Sequence, residues 1–349
     1  MAYTTIDDPS VFFNTVLYTG NQQVRNITFG GNSDLALNWI WLKSRSSGYA
    51  GNHHVYDSVR GVQKHLRPNL ASAEGTNGGT DGVTAFGSNG FTVGANTGSN
   101  ENNITFVGWG WKAGGSASNN TDGSITSSVS VDTTAGFSIV SYQGNATAGA
   151  TIGHGLGTAP HWIIMKDRSN ARDFFVFHQS TGATNRLKLN ATNTSASSTF
   201  INDTAPTSSV YAVDGGTAGN ANGANYIAYC FAEKKGYSKF GSYKGNGDND
   251  GTFVYTGFQP AWIMQKETGN TRDWTIIDNT RSTTNPGNNR LVPNEAHVEA
   301  TNNSTDFYSN GFKCRQNQSN TNSSNGDYIY MAFAESPLVN SEGIPNNAK

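Results

Sequence analysis

The chain is poor in charge and in cysteine and has no long apolar run, and each shortage removes a class of protein. Charged residues are only 14% of its 349 residues, and the formal net charge is −2. No basic block occurs anywhere, so the counterion release that drives nucleic-acid binding has no source, and nucleic acid is not an expected partner. No apolar stretch approaches the roughly 20 residues of a membrane-spanning helix, so membrane insertion is not expected. The N-terminus has no basic region followed by an apolar core, which sets the expectation of a protein made in a cytoplasm and not exported by that route. Two cysteines, Cys230 and Cys314, lie in separate strand-like segments and read as small core hydrophobes rather than a disulfide, a metal pair or a nucleophile. Helical periodicity is missing as well. No segment of useful length repeats its apolar residues every 3.6 positions between caps, so very little helix is expected.

What is present is glycine, 41 residues of it, together with abundant Asn, Ser and Thr and an aromatic content of 11%. Disordered chains are usually charged and poor in aromatics, so disorder does not fit. Short strands joined by polar turns do fit, because Gly and Asn accept positive φ and Asn, Ser and Thr side chains bond the turning backbone.

One pattern organises the whole chain, and it occurs three times. Leu37-Asn38-Trp39-Ile40-Trp41-Leu42-Lys43, Pro160-His161-Trp162-Ile163-Ile164-Met165-Lys166 and Pro260-Ala261-Trp262-Ile263-Met264-Gln265-Lys266 each read as a turn and a short strand ending in lysine. Upstream of each tryptophan a strand runs into Gly-Asn, at Gly20-Asn21, Gly144-Asn145 and Gly245-Asn246. Downstream comes a second aromatic strand, ending at Asp57, His178 and Asp278. Each unit closes on an apolar strand, Phe106 to Trp111, Tyr226 to Phe231 and Tyr328 to Phe333. The period of roughly a hundred residues is long enough for a small domain. Within the first unit Trp39, Trp41 and Lys43 point one way and Ile40 and Leu42 the other, so this strand is expected to be covered on both faces. Ser88-Asn89-Gly90 and Ser309-Asn310-Gly311 read as tight hairpins, since Asn-Gly suits the positive φ of such turns.

The expected organisation is therefore all-β: three tandem antiparallel β-sandwich-like repeats, jelly-roll or lectin-like, with very little helix. The repeats span 16–113, 137–236 and 237–335. An arm at 1–15 precedes them, a Gly/Ser/Thr-rich linker occupies 114–136, and a tail covers 336–349. Within the linker, Ser124 to Val131 has the pattern of an edge strand. Lys234-Lys235-Gly236 is so short a connection that repeats two and three are expected to be rigidly joined, with repeat one hinged to them. In the arm, Tyr3, Phe12 and Phe13 are large apolar groups in a segment too short for its own core. They must dock on the first domain or on a partner subunit.

Candidate chemistry is sparse. Gly153-His154-Gly155-Leu156-Gly157 precedes a strand, whereas a phosphate loop must open a helix, so it reads as a turn. The seven histidines form no metal-spaced set. Asp248-Asn249-Asp250-Gly251 is oxygen-rich in the way calcium loops are, but lacks a distal bidentate Glu and reads equally as an Asx turn; Asp248 and Asp250 are the only metal candidates. No Gly-x-Ser-x-Gly elbow and no distinct carboxylate pair stands out, so no catalytic residue and no cofactor are assigned. Lys43, Lys166, Lys266, Asp57 and Asp278 recur with the tryptophans Trp39, Trp162 and Trp262, and recurrence points to a structural role each unit needs, such as a salt bridge. The Asn/Gly/Ser-rich loops Ala73 to Gly82, Gly94 to Asn102, Gly215 to Asn225 and Gln316 to Gly326 suit recognition of carbohydrate or of a protein surface.

The opening Met1-Ala2-Tyr3-Thr4-Thr5-Ile6-Asp7-Asp8-Pro9-Ser10, the Trp-Ile-x-x-Lys strands, Asp57-Ser58-Val59-Arg60-Gly61, Ser88-Asn89-Gly90-Phe91 and Tyr229-Cys230-Phe231-Ala232-Glu233 carry a resemblance. Over nearly the whole chain the sequence is similar to virion structural proteins, often labelled tail-fibre-like, of marine tailed bacteriophages of the cyanophage and pelagiphage type. That resemblance implies a protein assembled on a phage particle in the host bacterial cytoplasm with its β-rich repeats displayed outward; joined to the missing catalytic motifs and the amide-rich loops, it sets the expectation of a non-enzymatic virion surface protein of tail-fibre or appendage type that contributes to attachment to host envelope glycan. It also implies other capsid or tail proteins as partners and a homo-oligomer. No heptad or collagen-like shaft is present, so a capsid decoration or knob protein is the alternative, with a polysaccharide-degrading appendage behind it.

Overall fold

The computed structural model describes residues 3–46, 49–78, 81–95, 97–301 and 305–346. Met1 and Ala2 of the arm, residues 79–80 and 96 of two of the loops, and residues 347–349 of the tail lie outside them. Among the described residues helix is confined to the 3₁₀ turn Pro9–Val11 and the single turn Thr97–Asn100, as the sequence leads one to expect.

The main sheets of the three repeats have four, eight and five strands, and the same four antiparallel strands recur in each. In the first, strands β1 (Phe13–Thr19), β2 (Trp39–Ser44), β3 (His54–Asp57) and β4 (Thr105–Trp111) run in the order β1-β4-β2-β3. The second uses β5 (Phe137–Gln143), β6 (Trp162–Asp167), β7 (Phe174–His178) and β8 (Asn225–Phe231), and the third β9 (Ser238–Lys244), β10 (Phe258–Glu267), β11 (Thr275–Asp278) and β12 (Asp327–Pro337), in matching orders. A smaller outer sheet covers one face of each. In repeat one it comprises Arg25–Ile27, Val83–Gly87 and Gly90–Val93; in repeat two, Ala150–Gly153 and Val210–Val213; in repeat three, Phe253–Tyr255, Thr305–Tyr308 and Gly311–Cys314. Both Asn-Gly hairpins form, with Gly87 paired to Gly90 and Tyr308 to Gly311.

Alternation along the tryptophan strands sends side chains into two different cores. Ile40 and Leu42, Ile163 and Met165, and Ile263 face their own outer sheet and form three separate sandwich cores. Trp39, Trp41, Trp162, Ile164, Trp262 and Met264 face the other way, into one core shared by all three repeats. Trp39 of repeat one stacks on Tyr229 of repeat two with centroids 4.6 Å apart, Trp111 meets Trp262 of repeat three edge-on at 5.6 Å, and Trp162 meets Trp274 at 5.9 Å. The repeats therefore close on one another around a common centre instead of standing in series, and repeat one is not hinged. The reason is that each main sheet is apolar on both faces, and one small outer sheet covers only one of them.

The presumed linker is also structural. Ser118–Asn120 and Ser127–Asp132 extend the repeat-two sheet beyond β5; the strand expected over Ser124 to Val131 forms at Ser127–Asp132 but is paired on both sides, and Ser118–Asn120 is the edge. The arm docks on its own chain: the Tyr3 hydroxyl donates to the Gly257 carbonyl, Phe12 packs on Tyr237, and Phe13 is buried in the shared core, stacked on Phe333. These three residues are thus occupied within the molecule and do not stand free for a partner subunit. The tail returns to the arm through Ser341, which donates to Asp7 from its amide and its hydroxyl.

The recurring Gly-Asn pair has a local cause. A buried asparagine in each long loop, Asn100, Asn220 or Asn322, accepts from the amide of Asn21, Asn145 or Asn246. The preceding glycine lies so close to that loop that a β-carbon would sit 2.0 to 2.3 Å from a carbonyl oxygen, of Glu101, Ala221 or Ser323. Only glycine fits there.

Because one core serves three repeats, calorimetry is expected to show a single cooperative unfolding transition. Trp162→Ala should lower stability by about 3–5 kcal/mol in denaturant titration without splitting it.

Candidate functional site

The recurring lysines and acids lie at the three seams where repeats meet. Each lysine ends its strand fully buried and reaches into the neighbouring repeat. Lys43 Nζ donates to the Ala296 carbonyl of repeat three (3.3 Å), Lys166 to Ala71 of repeat one (3.1 Å), and Lys266 to Thr192 of repeat two (3.3 Å). The cycle closes, one to three, two to one and three to two, so the molecule has threefold quasi-symmetry. Backbone bonds follow the same cycle: the amides of Glu299, Glu74 and Ser195 donate to the carbonyls of Arg45, Arg168 and Thr268.

Burial without a full counter-charge lowers the affinity of these ammonium groups for their proton. Desolvation brings Lys43 down to about 7; it brings Lys166 and Lys266 to about 8, with nearby carboxylates partly opposing it.

Two seams carry a buried charge network. Between repeats one and two, Asp57 accepts from Arg60 and from the Tyr229 hydroxyl (2.7 Å). Arg60 continues to Glu74 (3.1 Å), and Arg168 grips Glu74 through Nε and Nη2, both at 2.9 Å. Between repeats three and one the same arrangement uses Asp278, which accepts from Arg281 and from Trp109 Nε1 (2.9 Å), then Glu299, which pairs with Arg281 (2.9 Å) and with Arg45 (3.0 and 2.9 Å). Burial opposes ionisation of Glu74 and Glu299, but their paired arginines outweigh it and hold both carboxyls below the usual range. Arginine is suited to this position, since its planar fork bonds a carboxylate with two parallel N–H groups and also reaches backbone carbonyls, Val55 for Arg60 and Ile276 for Arg281.

The third seam, between repeats two and three, replaces every member. His178 stands where the others have Asp57 and Asp278, Thr181 where they have Arg60 and Arg281, Ser195 in place of Glu74 and Glu299, and Thr268 in place of Arg168 and Arg45. Met331 takes the position of the donors Tyr229 and Trp109. The replacements are coupled by electrostatics: an aspartate here would keep the turn's backbone donor but be a buried charge with neither the arginine nor the side-chain donor of the other seams, which costs several kcal/mol. His178 avoids that, because burial drops its pKa to about 3 and it stays neutral; it packs edge-on against Trp162 at 4.9 Å. With the long side chains gone, a cleft of about 510 Å³ opens at this seam.

The other sequence candidates resolve simply. Asp248 and Asp250 belong to a run of Asx turns, with Asp250 bonded to Lys313 (2.6 Å) and near Arg315 (3.5 Å). Two cations thus occupy the carboxylate offered to calcium, and among the described residues no group of three or more metal-ligating side chains gathers anywhere. Cys230 and Cys314 are fully buried in two different sandwich cores, where burial pushes both thiols up, Cys314 to about 12. His154 is buried in its turn and accepts from the Leu156 amide. Reading the sequence found the acids and lysines but not the seam partners Glu74 and Glu299. The visible signal was the Asp-x-x-Arg spacing of copies one and three, lost in copy two.

Two outcomes follow. Asp57→His alone takes from the buried Arg60 guanidinium the nearer of its two carboxylates and should lower stability by about 3–5 kcal/mol, whereas adding Arg60→Thr and Tyr229→Met, in imitation of the third seam, should recover more than half of it in urea titrations. The lysines give the pH dependence. Their folded pKa values lie below the unfolded 10.5, so between roughly pH 7 and 10 the unfolded chain holds more protons. Stability therefore rises with pH, by at most about 1.4 kcal/mol per pH unit for each lysine. From pH 7 to 9.5 the melting temperature should climb, and less steeply in Lys43→Met.

No curated protein and no solved structure matches the chain. A family model, described as a domain of unknown function (DUF7483), matches residues 8–337. Spanning part of the arm, all three sheets and the seams between them, that match shows that the chain belongs to the DUF7483 family.

Proposed function

We propose that this chain is a non-enzymatic structural protein of a phage virion, displayed on the particle surface as a tail fibre or appendage and contributing to attachment to host envelope glycan. The resemblance to virion structural proteins is one support. The observation that carries the reading is how the titratable residues are used: Asp57, Asp278, Glu74, Glu299 and the three lysines all bind one repeat to the next. Groups engaged in this way lock a shape and are not available to move protons in a reaction. A body locked by one aromatic core and by a buried lysine across each of its three seams suits a particle component that must hold its form outside a cell. The outer sheets, the long loops and the open third seam then remain as the surfaces for contact.

Immunogold labelling of intact particles with antibody to this protein tests the reading. Gold at the tail or its fibres is the expected result. Gold spread over the head would favour a decoration protein, and unlabelled particles would overturn the virion assignment.

A further inference from the structure

The cleft at the third seam lies where the quasi-symmetry of the molecule is broken in its side chains. At the two other seams the same volume holds an arginine–glutamate–arginine ladder. Here the ladder positions are Thr181, Ser195 and Thr268, and all three line the cleft together with Ser180, Asn185 and Ser242. Packing does not require these small side chains, because the same backbone accommodates the large ones twice elsewhere.

The lining has a definite chemistry. Among the described residues the hydroxyls of Ser180, Ser195 and Ser242 make no hydrogen bond within the chain, while Thr181 and Thr268 donate to the carbonyls of His178 and Asp327 and keep acceptor capacity. Among the described residues lining the cleft, the charged ones are Lys244 and Asp327, which pair with each other at 2.9 Å. His178 behind the cleft is neutral. The surface therefore offers many hydroxyl donors and acceptors with no net charge, and its size of about 510 Å³ lies in the range of small-molecule sites.

We infer that the cleft between repeats two and three binds a neutral saccharide unit. Charged ligands find no unpaired counter-ion, and apolar ligands would strand the serine hydroxyls. A sugar matches both requirements, since each ring hydroxyl can donate and accept at once. This inference rests on the glycan-attachment reading and names the site of it.

The test uses the full-length protein, a panel of neutral mono- to tetrasaccharides read by array and calorimetry, and adhesion to intact host bacteria. One variant rebuilds the ladder with Thr181→Arg, Ser195→Glu and Thr268→Arg; a second, Ser242→Arg, changes only an exposed rim position and so keeps the test alive if the first fails to fold. The expected result is saccharide binding by the parent and at least a tenfold loss in the variants, with melting temperature retained in Ser242→Arg. Saccharide binding that both folded variants retain would overturn the cleft while leaving attachment intact. If no saccharide binds, the cleft assignment fails, and absence of adhesion to host cells as well would remove the attachment reading with it.

Discussion

The structure depends on one constraint: a β-sheet with large apolar side chains on both faces has to be covered twice. The outer sheet of each repeat covers one face and makes a small sandwich. The other face carries Trp39 and Trp41, or Trp162 and Ile164, or Trp262 and Met264, and a single repeat has nothing to lay over it. Three copies solve the problem together, each sheet closing a side of one aromatic core. The hydrophobic effect thus sets the threefold plan, and the arm completes it by inserting Phe13 beside Phe333.

Closing three sheets around a centre traps polar groups in the seams, and those groups then have to be satisfied. The molecule uses two solutions. At two seams, Asp57 and Asp278 are buried as charges and compensated by Arg60 and Arg281, with Glu74 and Glu299 linking onward to Arg168 and Arg45. At the third, the charges are removed as a set and a neutral histidine takes the strand end. A partial replacement would leave a buried ion without a partner, which explains why five positions differ together. The three lysines are common to all seams because their ammonium groups bond backbone carbonyls, which no side-chain substitution removes.

This division bears on what the protein can do. The buried acids, arginines and lysines of the seams are engaged in holding the repeats together, which suits an architectural role. The seam built without the arginine–glutamate ladder combines small hydroxyl side chains with open space.

Much of this was legible in the chain. The repeat of Trp-Ile-x-x-Lys, the alternation of Trp39 with Ile40, the Asn-Gly hairpins and the absence of helical periodicity determined an all-β protein of three like units with sheets covered on both faces. They did so because strand period and turn chemistry are local properties. What covered the second face was not local. The sequence pattern is the same whether the partner is another molecule, a neighbouring bead or the other two repeats, so only the tertiary structure decided that the copies close on one another and that residues 114–136 belong to a sheet. The seams were hidden for the same reason. Glu74 and Arg168 are far apart in the chain, and their pairing, like the emptiness left by Thr181 and Ser195, arises only when two repeats meet.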